Sequence, residues 1–107
     1  MASALPEALA AFVQHLAVEK RLAARTVAMY TDALAELARY AEQDGLALRA
    51  AQPHHIRRWM VKLRERGLAP RSIAIALAAW RGLYRWWGRQ GQVPMNPVDG
   101  LRPPKAP

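Results

Sequence analysis

Residues 68–91 form one continuous pattern that restricts the fold more than any other stretch of the chain. Large apolar residues recur there at steps of four, three, four and three, which is the spacing of one face of an α-helix. We therefore predict a long helix whose apolar stripe is buried, with Gly91 at its C-terminal cap. The stripe consists of Ile73, Leu77, Trp80, Tyr84 and Trp87.

A second stripe on the same predicted helix is cationic at its ends and smooth in its middle. Small residues between arginines let a helix backbone approach a broad partner closely. The pattern indicates a helix that faces a polyanion while its aromatic residues anchor it in the core; the alternative is a solvated basic face. This stripe consists of Arg71, Ala74, Ala78, Arg81, Arg85 and Arg89.

The formal net charge of +8 lies entirely in the second half of the chain. Residues 53–91 contain nine Lys or Arg and one acid, Glu65, whereas the remaining residues carry seven charges of each sign. A localised excess of this kind is typical of proteins that bind nucleic acid. An anionic membrane surface is the weaker alternative, because the aromatic stripe of the helix is expected in the core.

Composition favours a single all-α domain, since alanine and leucine dominate and β-branched residues are few. Apolar periodicity predicts three further helices, over residues 5–20, 24–44 and 53–66, with Ser3 and Pro6 as suitable starts of the first. Cysteine, a signal peptide and a membrane-spanning apolar run are all absent from the sequence, so we expect a cytoplasmic location.

The pattern L-A-[AP]-R-[ST]-[VI]-A opens both the second and the fourth helix, forty-six residues apart. Two related starts predict two helix hairpins arranged in a similar way. Each start places an arginine beside a hydroxyl, Arg25 with Thr26 and Arg71 with Ser72. Helix starts expose free N–H groups and the positive end of the helix dipole, so we predict phosphate binding at both. Capping of their own helices is the alternative role for Thr26 and Ser72.

No catalytic constellation, cofactor motif or metal site is visible in the sequence. His54 and His55 are adjacent, so on a helix they are expected to diverge by about 100° and not to share a metal. The acids are scattered, and Glu36 is expected on the surface, where it forms a weak ion pair with Arg39. A Gly-rich phosphate loop is missing as well.

Residues 92–107 differ from the rest of the chain in composition. They contain five prolines and an Asp-Gly turn signal but no helical period. We interpret residues 1–91 as a domain and residues 92–107 as a linker, and we expect the domain to belong to a longer protein.

Most of the chain resembles the N-terminal core-binding domain of XerC-type tyrosine recombinases. The similar features in the second helix are the Arg25-Thr26 start, Tyr30 and Asp32-x-Leu34. Those in the second half are the Arg71-Ser72-Ile73 start, the Arg81-x-x-Tyr84-Arg85 run, the Arg89-Gln90-Gly91 close, Asn96-Pro97 and Leu101-x-Pro-Pro-Lys105. The resemblance implies a four-helix, SAM-like bundle of two crossed helix hairpins that forms half of a clamp around duplex DNA.

In such domains the second and fourth helices face the major groove. The resemblance and the charge pattern together give one set of candidate DNA-binding residues: Arg25, Thr26, Arg71, Ser72, Arg81, Arg85, Arg89, Arg58 and Lys62. The chain departs from the family at Ala23 and Ala69, where serine is usual, which predicts weaker helix caps.

The resemblance also implies a role within a larger protein. The nucleophilic tyrosine of these recombinases lies in a separate C-terminal domain, so this chain is expected to bind DNA without cleaving it. The implied partners are duplex DNA and a XerD-like recombinase, in a tetrameric complex that resolves chromosome dimers, and the isolated chain is expected to be a monomer. The alternatives are a helical protein-interaction module and an independent helix-turn-helix repressor, and the proline-rich end argues against the repressor.

Overall fold

The computed structural model describes residues 5–103, and over that range the chain forms four α-helices and no strand. The predicted all-α fold is confirmed, and each predicted helix end lies within two residues of the observed one. The elements are α1 (Glu7–Gln14), a π-helical continuation of α1 (His15–Glu19), α2 (Ala24–Gln43), a 3-10 turn (Leu48–Ala50), α3 (Pro53–Glu65) and α4 (Pro70–Arg89). Ser3, a predicted start of the first helix, lies outside the described residues.

The apolar stripe of α4 forms the centre of the hydrophobic core. All five predicted residues of that stripe are at most 1% exposed, which confirms the inward face of this helix. The other three helices direct their own stripes onto it, with Leu9 and Phe12 from α1, Leu34 from α2 and Trp59 from α3. Each large apolar side chain buried in this way contributes roughly 1.5–3 kcal/mol before the entropy cost of folding.

A buried hydrogen bond joins the middle of α4 to the middle of α2. The indole Nε1 of Trp80 donates to the carbonyl oxygen of Ala33 at 2.8 Å. Trp80 is fully buried, and a buried indole N–H must be hydrogen-bonded to avoid a desolvation penalty. The bond therefore fixes how α2 and α4 pack across the centre of the bundle.

The short sequence repeat corresponds to a repeat of the backbone. Helices α2 and α4 are each 20 residues long, and each follows an alanine N-cap, Ala23 or Ala69, with no side-chain cap hydrogen bond. Each is followed by a glycine with positive φ, 63° at Gly45 and 71° at Gly91, and both positions suit glycine because L side chains rarely adopt that conformation. The alanine caps therefore lack side-chain bonds as expected, and the long helices of the two hairpins, α1–α2 and α3–α4, have the same length and the same kind of C-terminal turn.

The turn that precedes each long helix is also repeated, although its residues differ. Gly67 precedes α4 with φ 88°, whereas the matching residue before α2 is Arg21 with φ 52°. The helix that leads into Arg21 contains a π-helical turn, in which Lys20 N donates to His15 O at 3.1 Å. Both turns therefore have a residue with positive φ at the same position before the long helix, and this residue is an arginine before α2 and a glycine before α4.

Residues 92–101 contain turns and no helix, and they pack against α4. Val98 is fully buried and Val93 is 8% exposed. The side chain of Asn96 donates through Nδ2 to the carbonyl of Arg81 at 3.1 Å and accepts the N–H of Val98 through Oδ1 at 3.0 Å. The predicted lack of helical period is confirmed, and the packing onto α4 is an additional finding. Lys105, the end of the Leu101-x-Pro-Pro-Lys105 motif, lies outside the described residues.

Candidate nucleic-acid interface

The outward stripe of α4 is accessible along its whole length. Arg71, Arg85 and Arg89 are exposed, and Ala74 and Ala78 between them are partly exposed. Among residues 5–103 none of these three guanidinium groups has a carboxylate within ion-pair distance. The predicted division of α4 into an aromatic inner face and a cationic outer face is therefore observed.

Arg81 belongs to the same stripe but has a structural bond. Its Nη2 donates to the carbonyl of Leu101 at 2.9 Å, and its own carbonyl accepts from Asn96. The side chain is partly buried, unlike those of Arg85 and Arg89. Arg81 thus holds the segment after α4 in place and keeps the remaining N–H groups of its guanidinium for another acceptor.

The two helix starts place their arginines and hydroxyls at equivalent positions. Arg25 and Thr26 are the second and third residues of α2, and Arg71 and Ser72 are the second and third residues of α4. The N-cap residues Ala23 and Ala69 make no side-chain cap bond, and the side-chain hydrogen bonds within residues 5–103 include none from Thr26 or Ser72, so self-capping does not account for these hydroxyls. Both starts therefore combine free backbone N–H groups with an exposed guanidinium, an arrangement that suits a phosphate group.

The two candidates on α3 already have partners within the domain. Arg58 Nη2 donates to Asp44 Oδ2 at 2.8 Å, and the same oxygen accepts Trp59 Nε1 at 2.8 Å. The hydrogen bond from Trp59, with that from Arg58, keeps the pKa of Asp44 below its usual range. Lys62 Nζ lies 5.4 Å from the ring centroid of Tyr40, within cation–π distance. Arg58 and Lys62 therefore help to pack α3 against α2, whereas Arg71, Arg85 and Arg89 of α4 have no ion-pair partner within residues 5–103.

The expectation that Glu36 faces solvent is wrong. Its side chain is only 13% exposed and accepts from Arg39, Arg66 and the hydroxyl of Tyr40. The helical pair with Arg39 forms as predicted, but the second arginine comes from the end of α3, thirty residues along the chain. Local spacing revealed only the first partner, because the second depends on how α3 packs beside α2.

The prediction that His54 and His55 diverge is also wrong. Their ring centroids are 4.0 Å apart, because the ring of His55 turns back and its Nδ1 accepts the backbone N–H of Gln52 at 2.9 Å. That bond satisfies one of the free donors at the start of α3. The pKa of His55 is lowered by burial and, to a smaller degree, by the neighbouring charges of His54 and Arg58.

The tyrosines of the helices are packing groups. Tyr84 is buried, donates its hydroxyl proton to the carbonyl of Leu48 at 2.7 Å, and has a pKa raised by that burial. The hydroxyl of Tyr40 donates to Glu36 at 2.9 Å. These contacts give both side chains structural roles. No helix in the described part of the chain is long and apolar enough to cross a bilayer.

Comparison with known proteins identifies the family to which the chain belongs. A family model described as "Phage integrase, N-terminal SAM-like domain" matches residues 9–91. No solved structure matches the chain.

Three curated relatives illustrate the similarity. Tyrosine recombinase XerC 1 of Ralstonia nicotianae is 47% identical over 104 residues, covering 92% of this chain and 31% of that protein. Tyrosine recombinase XerC of Ralstonia pickettii is 45% identical over 102 residues, with the same two coverages. Tyrosine recombinase XerC of Pseudomonas aeruginosa is 35% identical over 100 residues, covering 92% of this chain and 33% of that protein. The chain thus spans about a third of the length of these relatives, and it belongs to the family of phage integrase N-terminal SAM-like domains.

Proposed function

We propose that this chain is the DNA-binding arm of a site-specific tyrosine recombinase and that it grips duplex DNA with α2 and α4. The observation that carries the proposal is the pair of matched helix starts, where Arg25 and Arg71 are exposed beside free backbone N–H groups. Thr26 and Ser72 add a hydroxyl at each start. The relatives named XerC supply the enzyme class.

The candidate residues divide into two groups on this proposal. Arg25, Arg71, Arg85 and Arg89 contact phosphates directly, because each is exposed and without an ion-pair partner within residues 5–103. The second group lies at the edge of the interface and consists of Arg81, Arg58 and Lys62. On binding, these side chains replace part of their present contacts within the domain by contacts with DNA. Phosphate contacts of the first group position the protein on the duplex without reading its sequence.

The rest of the recombinase lies beyond this domain on the same proposal. DNA cleavage and rejoining belong to a catalytic domain that follows the linker, and the complete protein acts in the cytoplasm with a XerD-like partner in a tetramer that resolves chromosome dimers. The first part of the linker, up to Leu101, packs on α4 through Val93, Asn96 and Val98.

The test is a titration of labelled duplex DNA with the 107-residue chain over a range of salt concentrations. If about four to six phosphates are contacted, log K falls against log salt with a slope of about −4 to −5. The double variant Arg25→Glu/Arg71→Glu loses binding, because the phosphates then meet carboxylates at both helix starts. An affinity that does not depend on salt would contradict the proposal.

Charge-matched variants separate the interface from the overall charge. Arg57→Glu/Arg64→Glu makes the same change in net charge on the exposed side of α3, outside the candidate set. This control is expected to retain most of the affinity for DNA. It should lose only the part that comes from the long-range attraction between the net charge of the protein and the DNA. Equal losses for the two double variants would mean that the helix starts have no special role.

A second candidate function is a protein-interaction module, and one surface favours it. Val18 is 59% exposed and lines a groove between the first helix and the end of α4, beside the partly buried ring of Trp86. A neighbouring copy of the recombinase is the proposed occupant. Sedimentation of the chain without DNA tests this function: concentration-dependent association that Val18→Asp abolishes would support it, and a strict monomer would contradict it.

A further inference from the structure

A groove of about 460 Å³ separates the first half of α2 from the start of α4. Its α2 wall contains Met29, Asp32 and Glu36, and its α4 wall contains Ser72 and Ile75. Arg66, at the corner between α3 and α4, also lines the groove. The groove therefore lies between the two helices that carry the matched starts.

The groove lining contains one exposed carboxylate, that of Asp32, although the protein is strongly basic. Among the described residues that line the groove, Arg66 is the one cation, and its guanidinium is engaged by Glu36. Asp32 is exposed and has no ion-pair partner within residues 5–103. A phosphate placed beside Asp32 would meet an uncompensated carboxylate, so on the proposed function the phosphates bind at the two helix starts and not at Asp32.

The rims of the groove have the opposite charge. Arg25 lies one helical turn before Met29 on the same face of α2, and Arg71 lies one turn before Ile75 on α4. Both arginines are exposed and unpaired in the described structure. Phosphates form the edges of a DNA major groove and base edges form its floor, so the arginines suit the edges and the exposed carboxylate of Asp32 suits a donor on a base edge.

We infer that Asp32 reads a base in the major groove by accepting a hydrogen bond from the exocyclic amino group of a cytosine. This inference rests on the proposed function and extends it from DNA binding to sequence reading. The amino groups of cytosine and adenine are the only donors on major-groove base edges. Adenine carries the acceptor N7 beside its amino group, which repels a carboxylate, whereas cytosine does not. The apolar side chains of Met29 and Ile75 provide contact surface for neighbouring pyrimidine C5 edges.

The test is selection of bound sequences from a library of randomised duplexes. The unmodified 107-residue chain is expected to enrich cytosine at one position of its site. Asp32→Ala reduces that preference about tenfold, in line with the discrimination that one base contact provides, and leaves affinity for unselected duplex unchanged or higher. Asp32→Asn moves the preference at the same position towards adenine, since an amide pairs with the N6 and N7 atoms of adenine.

A matched control separates base reading from simple attraction to DNA. Arg71→Ala lowers affinity for all sequences and leaves the enriched base unchanged, because a phosphate contact carries no sequence information. Identical enriched sequences for the unmodified chain and both Asp32 variants would overturn the inference while leaving DNA binding intact. The inference is also overturned if Asp32→Ala alters only self-association, which would make the groove a protein site. Absence of duplex binding by the unmodified chain would instead refute the proposed function.

Discussion

Arg21 is the described residue whose backbone conformation least suits its side chain. It has φ 52° at the turn before α2, where the second hairpin has Gly67 with φ 88°. A non-glycine residue in this region costs roughly 1–2 kcal/mol, partly offset because glycine loses more entropy on folding. We predict that Arg21→Gly raises the free energy of unfolding by about 1 kcal/mol, measured by urea denaturation with an unchanged m-value.

The converse substitution in the second hairpin provides the comparison. Gly67→Ala is expected to lower the free energy of unfolding by about 1 kcal/mol, even though its added Cβ would meet no atom within 4 Å. Gly88→Ala is the control, because Gly88 is helical and equally open, so alanine is expected to stabilise it by up to about 1 kcal/mol. Equal changes in the free energy of unfolding at both positions would show that φ does not decide whether alanine stabilises or destabilises the protein.

His55 gives the domain a pH-dependent helix start. Its pKa in the folded state lies below the unfolded value of 6.5, mainly because burial disfavours the charged ring. The unfolded chain therefore binds the proton more readily, so this residue's contribution to stability is present above pH 6.5 and is lost as pH falls through the folded pKa. Protonation also removes the acceptor for the N–H of Gln52.

The predicted outcome is a lower free energy of unfolding at about pH 5 than at about pH 7.5. His55→Gln should weaken that dependence, because glutamine does not titrate, whereas His54→Gln should keep most of it. Urea denaturation of the three proteins at both pH values provides the measurement. An unchanged pH dependence in His55→Gln would assign the effect to other groups.

At the scale of the element, α4 organises both the core and the segment that follows it. Asn96 and Val98 attach that segment, the first through two hydrogen bonds and the second through complete burial. We predict that Asn96→Ala costs about 1–3 kcal/mol of stability, because the carbonyl of Arg81 loses its side-chain partner. Val98→Ala should cost about 2 kcal/mol through lost burial and a residual cavity.

The same segment offers an internal control. Met95 is 53% exposed and lies next to Asn96, so Met95→Ala should change the free energy of unfolding by no more than about 0.5 kcal/mol. Thermal or urea unfolding of the three variants compares them directly. Three small, equal effects would mean that residues 92–101 do not contribute to the fold and behave as a free connector.

At the scale of the whole molecule, the two hairpins share one core and should unfold as a unit. The bond from Trp80 to Ala33 joins them at the centre, and Trp59 packs into the same cluster. We predict that tryptophan fluorescence and far-UV circular dichroism report a single coincident transition. Separate transitions would indicate that each hairpin has its own stability.

Trp80→Phe tests the central bond itself. It is expected to destabilise the protein by about 1 kcal/mol more than Trp87→Phe, because only Trp80 donates a buried hydrogen bond between α2 and α4. Both tryptophans are at most 1% exposed, so the two substitutions remove similar buried surface. Equal losses of stability in the two variants would show that Trp80 contributes through the packing of its ring and that its hydrogen bond adds nothing measurable.

The candidate site was predictable where it depends on local spacing. Helical periodicity separated the buried Trp80 and Tyr84 from the exposed Arg85, and the repeated heptapeptide located Arg25 and Arg71 at equivalent helix positions. These features follow from the geometry of one helix at a time, and that geometry is fixed by the order of residues.

Only the tertiary structure decided which cations are free and which are engaged. The pairs Arg66 with Glu36 and Arg58 with Asp44 join residues thirty and fourteen positions apart, and the bond from Arg81 to Leu101 joins α4 to a segment without helical period. Such contacts depend on how helices pack, which no periodicity encodes. The sequence alone therefore determined the helices, their inward faces and the excess of positive charge. Packing determined which charges within residues 5–103 form ion pairs, and it brought Asp32 of α2 and Ile75 of α4 to one groove.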